Sequence, residues 1–159
     1  MTSMTVLVLL AWGAPGGQAG DEAVKQEWER LEGTWTLVTM EVDGKSLLKK
    51  DEPPARVVIK GGKVTSDRKG PGAREDDLDA SKVKLDPTRK PKTITLPNFE
   101  GGDPAKGVTA IGIYERKGDE LRVCVQAVET ARLKEREKER PRAFDSKQGL
   151  LLVFKRQGK

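Results

Sequence analysis

Short segments separated by turn residues are the feature that most constrains the fold of this chain. Beyond Gly33, stretches rich in Val, Ile, Leu and Thr are brief and are divided by Gly, Asp and Pro. This spacing is typical of an antiparallel sheet rather than of alternating strands and helices. It predicts strands at residues 35–42, 56–60, 63–67, 81–85, 93–96, 109–116, 120–126 and 150–155.

Several links between these segments have the chemistry of hairpin turns. Asp43-Gly44, Gly61-Gly62 and Gly118-Asp119 supply residues that tolerate positive φ. Apolar and polar side chains alternate along residues 120–126, so one face of such a strand is buried. A closed or nearly closed barrel gives eight strands a common core without long exposed edges. The predicted fold class is therefore all-β, a small antiparallel β-barrel of about eight strands with one short N-terminal helix.

Two further segments have a helical or charged character. Val24, Trp28 and Leu31 recur with helical spacing after Asp21, and Gly33 ends the pattern, which predicts an amphipathic helix over residues 21–32. Residues 129–142 mix Lys and Arg with Glu around a single large apolar residue, Leu133. Within this segment, residues 131–140 are interpreted either as a short solvated helix or as an extended loop.

The N-terminus has the pattern of an export signal. Residues 4–12 form an apolar run too short for a bilayer core, which requires about 20 residues. Gly17 and Ala19 then stand at the −3 and −1 positions of a cleavage site. We predict a signal peptide at 1–19, the start of the helix at 20–27, and a barrel domain at 28–157 with a charged loop at 128–142. The alternative is a buried N-terminal strand.

The expected location is outside the cytoplasm, either secreted or in the periplasm or cell envelope. No other window is apolar enough for a transmembrane segment in the mature chain. Cys124 is the only Cys, so no internal disulfide can form, and export without disulfides suggests a bacterial envelope. Its position between Val123 and Val125 predicts a small buried hydrophobe rather than a reactive thiolate.

Composition excludes several classes of function. The 159 residues contain no His, which removes the usual general base and every Ser-His or Cys-His pair. We therefore expect no enzyme, no catalytic residues, no cofactor and no metal. The net charge is +5, but the basic residues are interleaved with Glu and aromatic residues are few, so nucleic acid is not expected as a partner. A monomer is expected.

A resemblance to one family rests on motifs in a fixed order. They are Leu31-Glu32-Gly33-Thr34-Trp35, Val42-Asp43-Gly44-Lys45, residues 84–94, residues 112–115 and 118–121, Arg140-Pro141 with Phe144, and residues 151–156. From about Trp28 to Arg156 the chain resembles the lipocalin-like domain family of unknown function found in secreted planctomycete proteins. The resemblance implies a calycin-type barrel behind an export signal, with no established activity or ligand. The charged stretch 128–139 is longer than the family pattern leads us to expect.

The resemblance also implies structural roles. Gly33-Thr34-Trp35 is similar to the G-x-W start of the first lipocalin strand, where Gly turns the chain and the indole plugs the closed end. Arg156 is the candidate for a cation–π contact with Trp35. The structural motif set is Gly33, Trp35, Arg156, Arg140, Pro141 and Phe144, and the candidate barrel-lining residues are Leu37, Ile59, Ile111, Val123 and Leu152.

Two functions remain open. The first is a binding module that holds a small apolar ligand in the barrel mouth. The alternative is a packed barrel that acts as a structural or protein-interaction module and meets an envelope partner through its surface. Large aliphatic residues at the lining positions favour packing, whereas an interior void above roughly 300 Å³ would favour a ligand. The mixed-charge segment has the chemistry to dock on anionic lipid or polysaccharide, although a solvated surface is the simpler interpretation.

Overall fold

The strands that the structure describes form one antiparallel sheet beside an N-terminal helix. The structure is a computed structural model that describes residues 18–66, 83–97 and 107–158. The helix is α1 (Gln18–Leu31), and the strands are β1 (Gly33–Val42), β2 (Lys45–Ser46), β3 (Arg56–Lys60), β4 (Lys63–Ser66), β5 (Lys84–Asp86), β6 (Lys92–Leu96), β7 (Val108–Lys117), β8 (Glu120–Glu129) and β9 (Leu150–Arg156). Between β8 and β9 lies a short helix, α2 (Leu133–Arg136), with a 3₁₀ turn on each side at Thr130–Arg132 and Glu137–Glu139.

The sheet runs in the order β4-β3-β1-β9-β8-β7-β6-β5, with β2 added to the side of β1. Every pair of neighbours is antiparallel. The sheet curls, because Val64 from one end and Leu85 from the other pack in the same apolar cluster. The predicted all-β, barrel-like fold of about eight strands with a short N-terminal helix is therefore confirmed.

The strands agree with the sequence pattern except at their ends. β8 continues to Glu129, beyond the predicted residue 126, because Glu129 still pairs with Val108 of β7. β2 was not predicted, since two exposed residues show no periodicity. Asp67 and residues 81–82 of the predicted strands lie outside the described residues, as do residues 1–17 of the predicted export signal.

The core lies on the concave face of the sheet. Residues opposite each other in antiparallel strands share a face, and pairing of Ile94 with Gly112 and of Tyr114 with Val123 places these positions on that inner side. The buried members of the core are Leu31, Trp35, Ile59, Val83, Leu85, Ala110, Tyr114, Leu121, Val123 and Val125.

A second buried layer lies on the convex face of β7 and β8. Ile113 pairs with Cys124, and both are at most 1% exposed although they point away from the core. Ile111 belongs to this layer as well, since it pairs with Thr95 and Gln126. Its predicted place in the barrel lining is therefore corrected. β7 is buried along both faces from Val108 to Tyr114, so alternation along this strand could not tell the inside from the outside.

Helix α1 seals one end of the curled sheet. Leu31 belongs to the core and Trp28 packs against it. Glu27 is buried under the helix and forms an ion pair with Lys92, with Oε1 2.7 Å from Nζ. The amphipathic pattern of the sequence therefore correctly gives the buried side of the helix, with Glu27 as a charged exception that Lys92 neutralises.

Candidate functional site

The Gly33–Trp35 corner is where helix α1 turns into strand β1. Gly33 has φ +140°, and a Cβ there would lie 2.8 Å from Nε of Arg156, so only glycine fits. Trp35 is fully buried, and its Nε1 donates a hydrogen bond to the carbonyl oxygen of Leu31 at 2.8 Å. Gly33 and Trp35 thus fix the position of helix α1 relative to strand β1 at this end of the curled sheet.

Two guanidinium groups make cation–π contacts with the Trp35 ring. The Cζ atoms of Arg156 and Arg116 each lie 5.7 Å from the ring centroid. Arg156 Nη2 also donates to the carbonyl of Glu32 at 2.6 Å, and Arg116 Nη1 donates to the carbonyl of Arg30. Sequence reasoning found Arg156 but missed Arg116. The signal for Arg116 was its place two residues after Tyr114, on the same inner face of β7.

The remaining lining candidates are buried or half-buried. Leu37, Ile59 and Val123 are each at most 7% exposed, and Leu152 packs against the core cluster from a half-buried position. Leu37 faces inward because it pairs with Phe154. Four of the five candidate residues therefore lie on the inner face of the sheet.

A buried polar group lies beneath helix α1. The Tyr114 hydroxyl has no hydrogen-bond partner among the described residues, and the side chain is 1% exposed. Burial raises the pKa of Tyr114 far above its ordinary value, and the negative charge of Glu27 adds to this effect. The raised pKa keeps the phenol neutral at physiological pH.

Arg140 attaches the charged segment to the convex face. Its side chain is 12% exposed. Nη1 donates to the carbonyls of Ile94 at 2.6 Å and Gly112 at 2.8 Å, and Nη2 donates to Thr95 Oγ1 at 3.1 Å. The carboxylate of Glu137 accepts from Nε at 2.8 Å and from Nη2 at 3.0 Å. Arg140 of the Arg-Pro motif therefore anchors this segment to β6 and β7 through hydrogen bonds.

Residues after Arg140 also contact the body of the protein. Pro141 and Ser146 are buried and Phe144 is half-buried. Ser146 accepts hydrogen bonds from Asp43 and Gly44, each at 2.9 Å, which ties the segment to the turn after β1. Residues 140–149, the outer strap, thus cover the second buried layer.

The charged loop predicted at 128–142 divides into two parts. Its helical alternative is correct for Leu133–Arg136, and the 3₁₀ turns and α2 from Thr130 to Glu139 contain no buried residue. From Arg140 onward the chain is anchored, so the interpretation as a solvated surface holds only for the first part.

Two open grooves flank the Arg140-Pro141 ridge on this convex face. The first has a volume of about 400 Å³, with Thr93 and Ile113 in its lining and five cationic side chains against one carboxylate, Glu137. The second has a volume of about 380 Å³ and four cationic side chains against Glu139. The cations of the first are Arg89, Lys90, Lys138, Arg140 and Arg142; the second shares the last three and adds Lys147.

Sequence reasoning missed these grooves as a site. The density of Lys and Arg over residues 129–142 was visible, but Arg89 and Lys90 lie on the β5–β6 turn, far away along the chain. Only the antiparallel pairing of β6 with β7 and the hydrogen bonds of Arg140 bring the two segments together.

Comparison of the chain with protein-family models, curated proteins and solved structures gives no significant match. Within residues 18–66, 83–97 and 107–158, no helix has both the length and the apolarity to cross a bilayer. In the same ranges, no three His, Cys, Asp or Glu side chains are grouped so that they could hold a metal ion.

Proposed function

We propose that this chain is an exported, non-catalytic lipocalin-like domain whose barrel is packed solid and which acts as an interaction module of the cell envelope. The ordered motifs from Leu31 to Arg156 support the family, and the pattern of residues 4–19 supports export. The packed barrel is favoured over the small-ligand alternative because of where the side chains and the cavities lie.

The observation that carries this proposal is the contrast between the two faces of the sheet. The inner face is occupied by Trp35, Tyr114 and the aliphatic side chains around them. Neither groove is lined by a buried residue of that core, since both lie on the convex side. Binding sites are concave and accessible, so the convex face is the better candidate for contact with a partner.

The electrostatics of the buried groups support a role without catalysis. A nucleophilic Cys or Tyr needs a lowered pKa, yet burial raises the pKa of both Tyr114 and the Cys124 thiol. Both groups are therefore neutral and buried, which suits packing.

Native mass spectrometry of the protein purified from its own cell envelope tests the packed interior. The expected result is the mass of the bare polypeptide after gentle desolvation. A stoichiometric small apolar molecule that leaves only on unfolding would contradict the packed barrel and support the small-ligand alternative. A chain expressed with the same purification but refolded from denaturant is the matched control, because refolding removes any ligand acquired in the cell.

The same preparation tests export. Cleavage after Ala19 gives a mature chain that begins at Gly20. An intact Met1 on protein recovered from the envelope would contradict a cleaved signal peptide.

A further inference from the structure

We propose that the two basic grooves form one continuous site for an acidic polysaccharide, a chain that bears carboxylates or sulfates. This inference rests on the proposed interaction function and gives it a ligand class. The grooves share Lys138, Arg140, Pro141 and Arg142. An extended ligand can therefore cross the ridge and occupy both grooves, which a compact ligand in one groove cannot do.

The charges available to such a ligand are those that no carboxylate neutralises. Arg140 is compensated by Glu137, and Arg89 pairs with Asp86 at 3.2 Å and with Glu137 at 3.8 Å. In contrast, the side chains of Lys90, Lys138, Arg142 and Lys147 form no ion pair with any part of the chain that the structure describes, and all four residues are exposed. These four cations surround the ridge and define the recognition surface.

The frame around these cations is fixed before a ligand arrives. Arg140 holds the ridge to Ile94 and Gly112 through backbone carbonyls, and Gln148 Oε1 accepts from the backbone N–H of Arg142 at 2.9 Å. Preorganised positions reduce the entropy that binding must overcome. The ridge and the backbone that carries Arg142 are therefore already in position for a ligand.

The shape and lining of the grooves favour a hydrophilic polyanion over other anionic partners. The cations line two adjoining grooves that an extended chain can follow, whereas attraction to an anionic bilayer depends on the surface potential and requires no groove. Among the residues that the structure describes, no aromatic side chain lines either groove, so bases of single-stranded nucleic acid would lack a stacking platform there. β6 is already paired on both sides, so an acidic peptide cannot add to it as a strand.

Isothermal titration of the mature chain at low ionic strength tests the proposal. The probes are polygalacturonate, which carries carboxylates, and dextran sulfate, which carries sulfates, with neutral dextran as the matched control. We expect saturable binding of at least one polyanion, no binding of neutral dextran, and affinity that falls as salt rises. Absence of binding by both polyanions to folded protein would overturn the inference.

A charge-reversal variant locates the site. Lys138→Glu with Arg142→Glu is expected to weaken binding by about tenfold or more, since the reversal replaces two attractions with two repulsions. Lys60→Glu with Lys63→Glu, on the exposed β3–β4 hairpin, is the matched control and should leave the affinity within about twofold. Equal losses in the two variants would overturn the assignment to the grooves.

Two further titrations distinguish an acidic polysaccharide from anionic lipid and from single-stranded nucleic acid. Vesicles containing anionic lipid and single-stranded DNA are titrated under the same conditions, and the inference is overturned if either binds as tightly as the better polysaccharide. A failed titration leaves the packed interior standing, because native mass spectrometry tests the latter independently. Conversely, a co-purified apolar molecule would contradict the packed barrel without changing the polysaccharide result.

Discussion

At the scale of single residues, Trp35 and Cys124 show how the two faces of the sheet use burial differently. Trp35 lies on the inner face, where its indole N–H and two neighbouring guanidinium groups hold the closed end together. Cys124 lies on the convex face, where its Sγ is 3.6 Å from the carbonyl oxygen of Asp145 in the outer strap. Both side chains are buried and each donates one hydrogen bond to a backbone carbonyl.

Replacing Trp35 with Ala should lower the free energy of unfolding by about 3–5 kcal/mol, because a fully buried ring is lost and a cavity is left. Val38→Ala in the same strand is the control, since Val38 is 44% exposed, and should change stability by less than about 0.5 kcal/mol. Urea unfolding of both variants provides the measurement. Similar midpoints for Trp35→Ala and the parent would show that the ring does not plug the barrel.

The Cys124 thiol should resist modification in the native state and make stability decline at alkaline pH. Burial raises the pKa of the thiol in the folded chain. The corresponding stability is fully present below the pKa of an unfolded Cys, about 8.5, and is lost as pH rises through the folded pKa.

Thermal unfolding of the parent and of Cys124→Val between pH 7 and 10 measures this effect. The variant should lose less stability over that window than the parent does. Rapid reaction of the native thiol with a disulfide reagent at pH 8 would contradict the burial of Cys124.

At the scale of elements, the outer strap shows where prediction from sequence succeeds and where it stops. Alternation was sufficient for the β3–β4 hairpin, and on β8 it gave the inner face correctly, although Cys124 on the opposite face is buried under the outer strap. It misplaced Ile111, because β7 is covered on both faces and nothing local indicates a cover supplied by residues 140–149. Arg140 was assigned a structural role through a motif, but its partners Ile94 and Gly112 lie 46 and 28 residues away in sequence.

Removing the Arg140 side chain should release the strap. In Arg140→Met, two carbonyl contacts and the Glu137 pair are lost, and the free energy of unfolding should fall by about 1.5–3 kcal/mol. Hydrogen exchange should increase within residues 140–149 and in β6, and remain unchanged in β3.

Arg132→Met is the matched control for this variant. Arg132 also pairs with a Glu three residues away, but both side chains are more than half exposed. Its removal should have little effect on stability. Comparable hydrogen exchange of residues 140–149 in the two variants would mean that Arg140 does not anchor the outer strap.

At the scale of the whole molecule, the main apolar core lies inside the curled sheet, and exposed cations gather over the second buried layer on its convex face. The net charge of +5 was consistent with simple solubility when only the sequence was considered. In the fold, part of that charge converges on one ridge between residues 89–93 and 137–148. This convergence depends on strand pairing between distant segments, so composition alone could not reveal it.

The packed interior is the central claim, and a methyl NMR titration with a medium-chain fatty acid tests it most directly. The methyl signals of Ile59, Val123 and Leu152 report on the inner face, and those of Ile113 report on the convex side. We predict that the three inner signals do not move at any fatty acid concentration below its micelle threshold. Saturable shifts of those signals, with Ile113 unchanged, would contradict the packed barrel and show an interior ligand site.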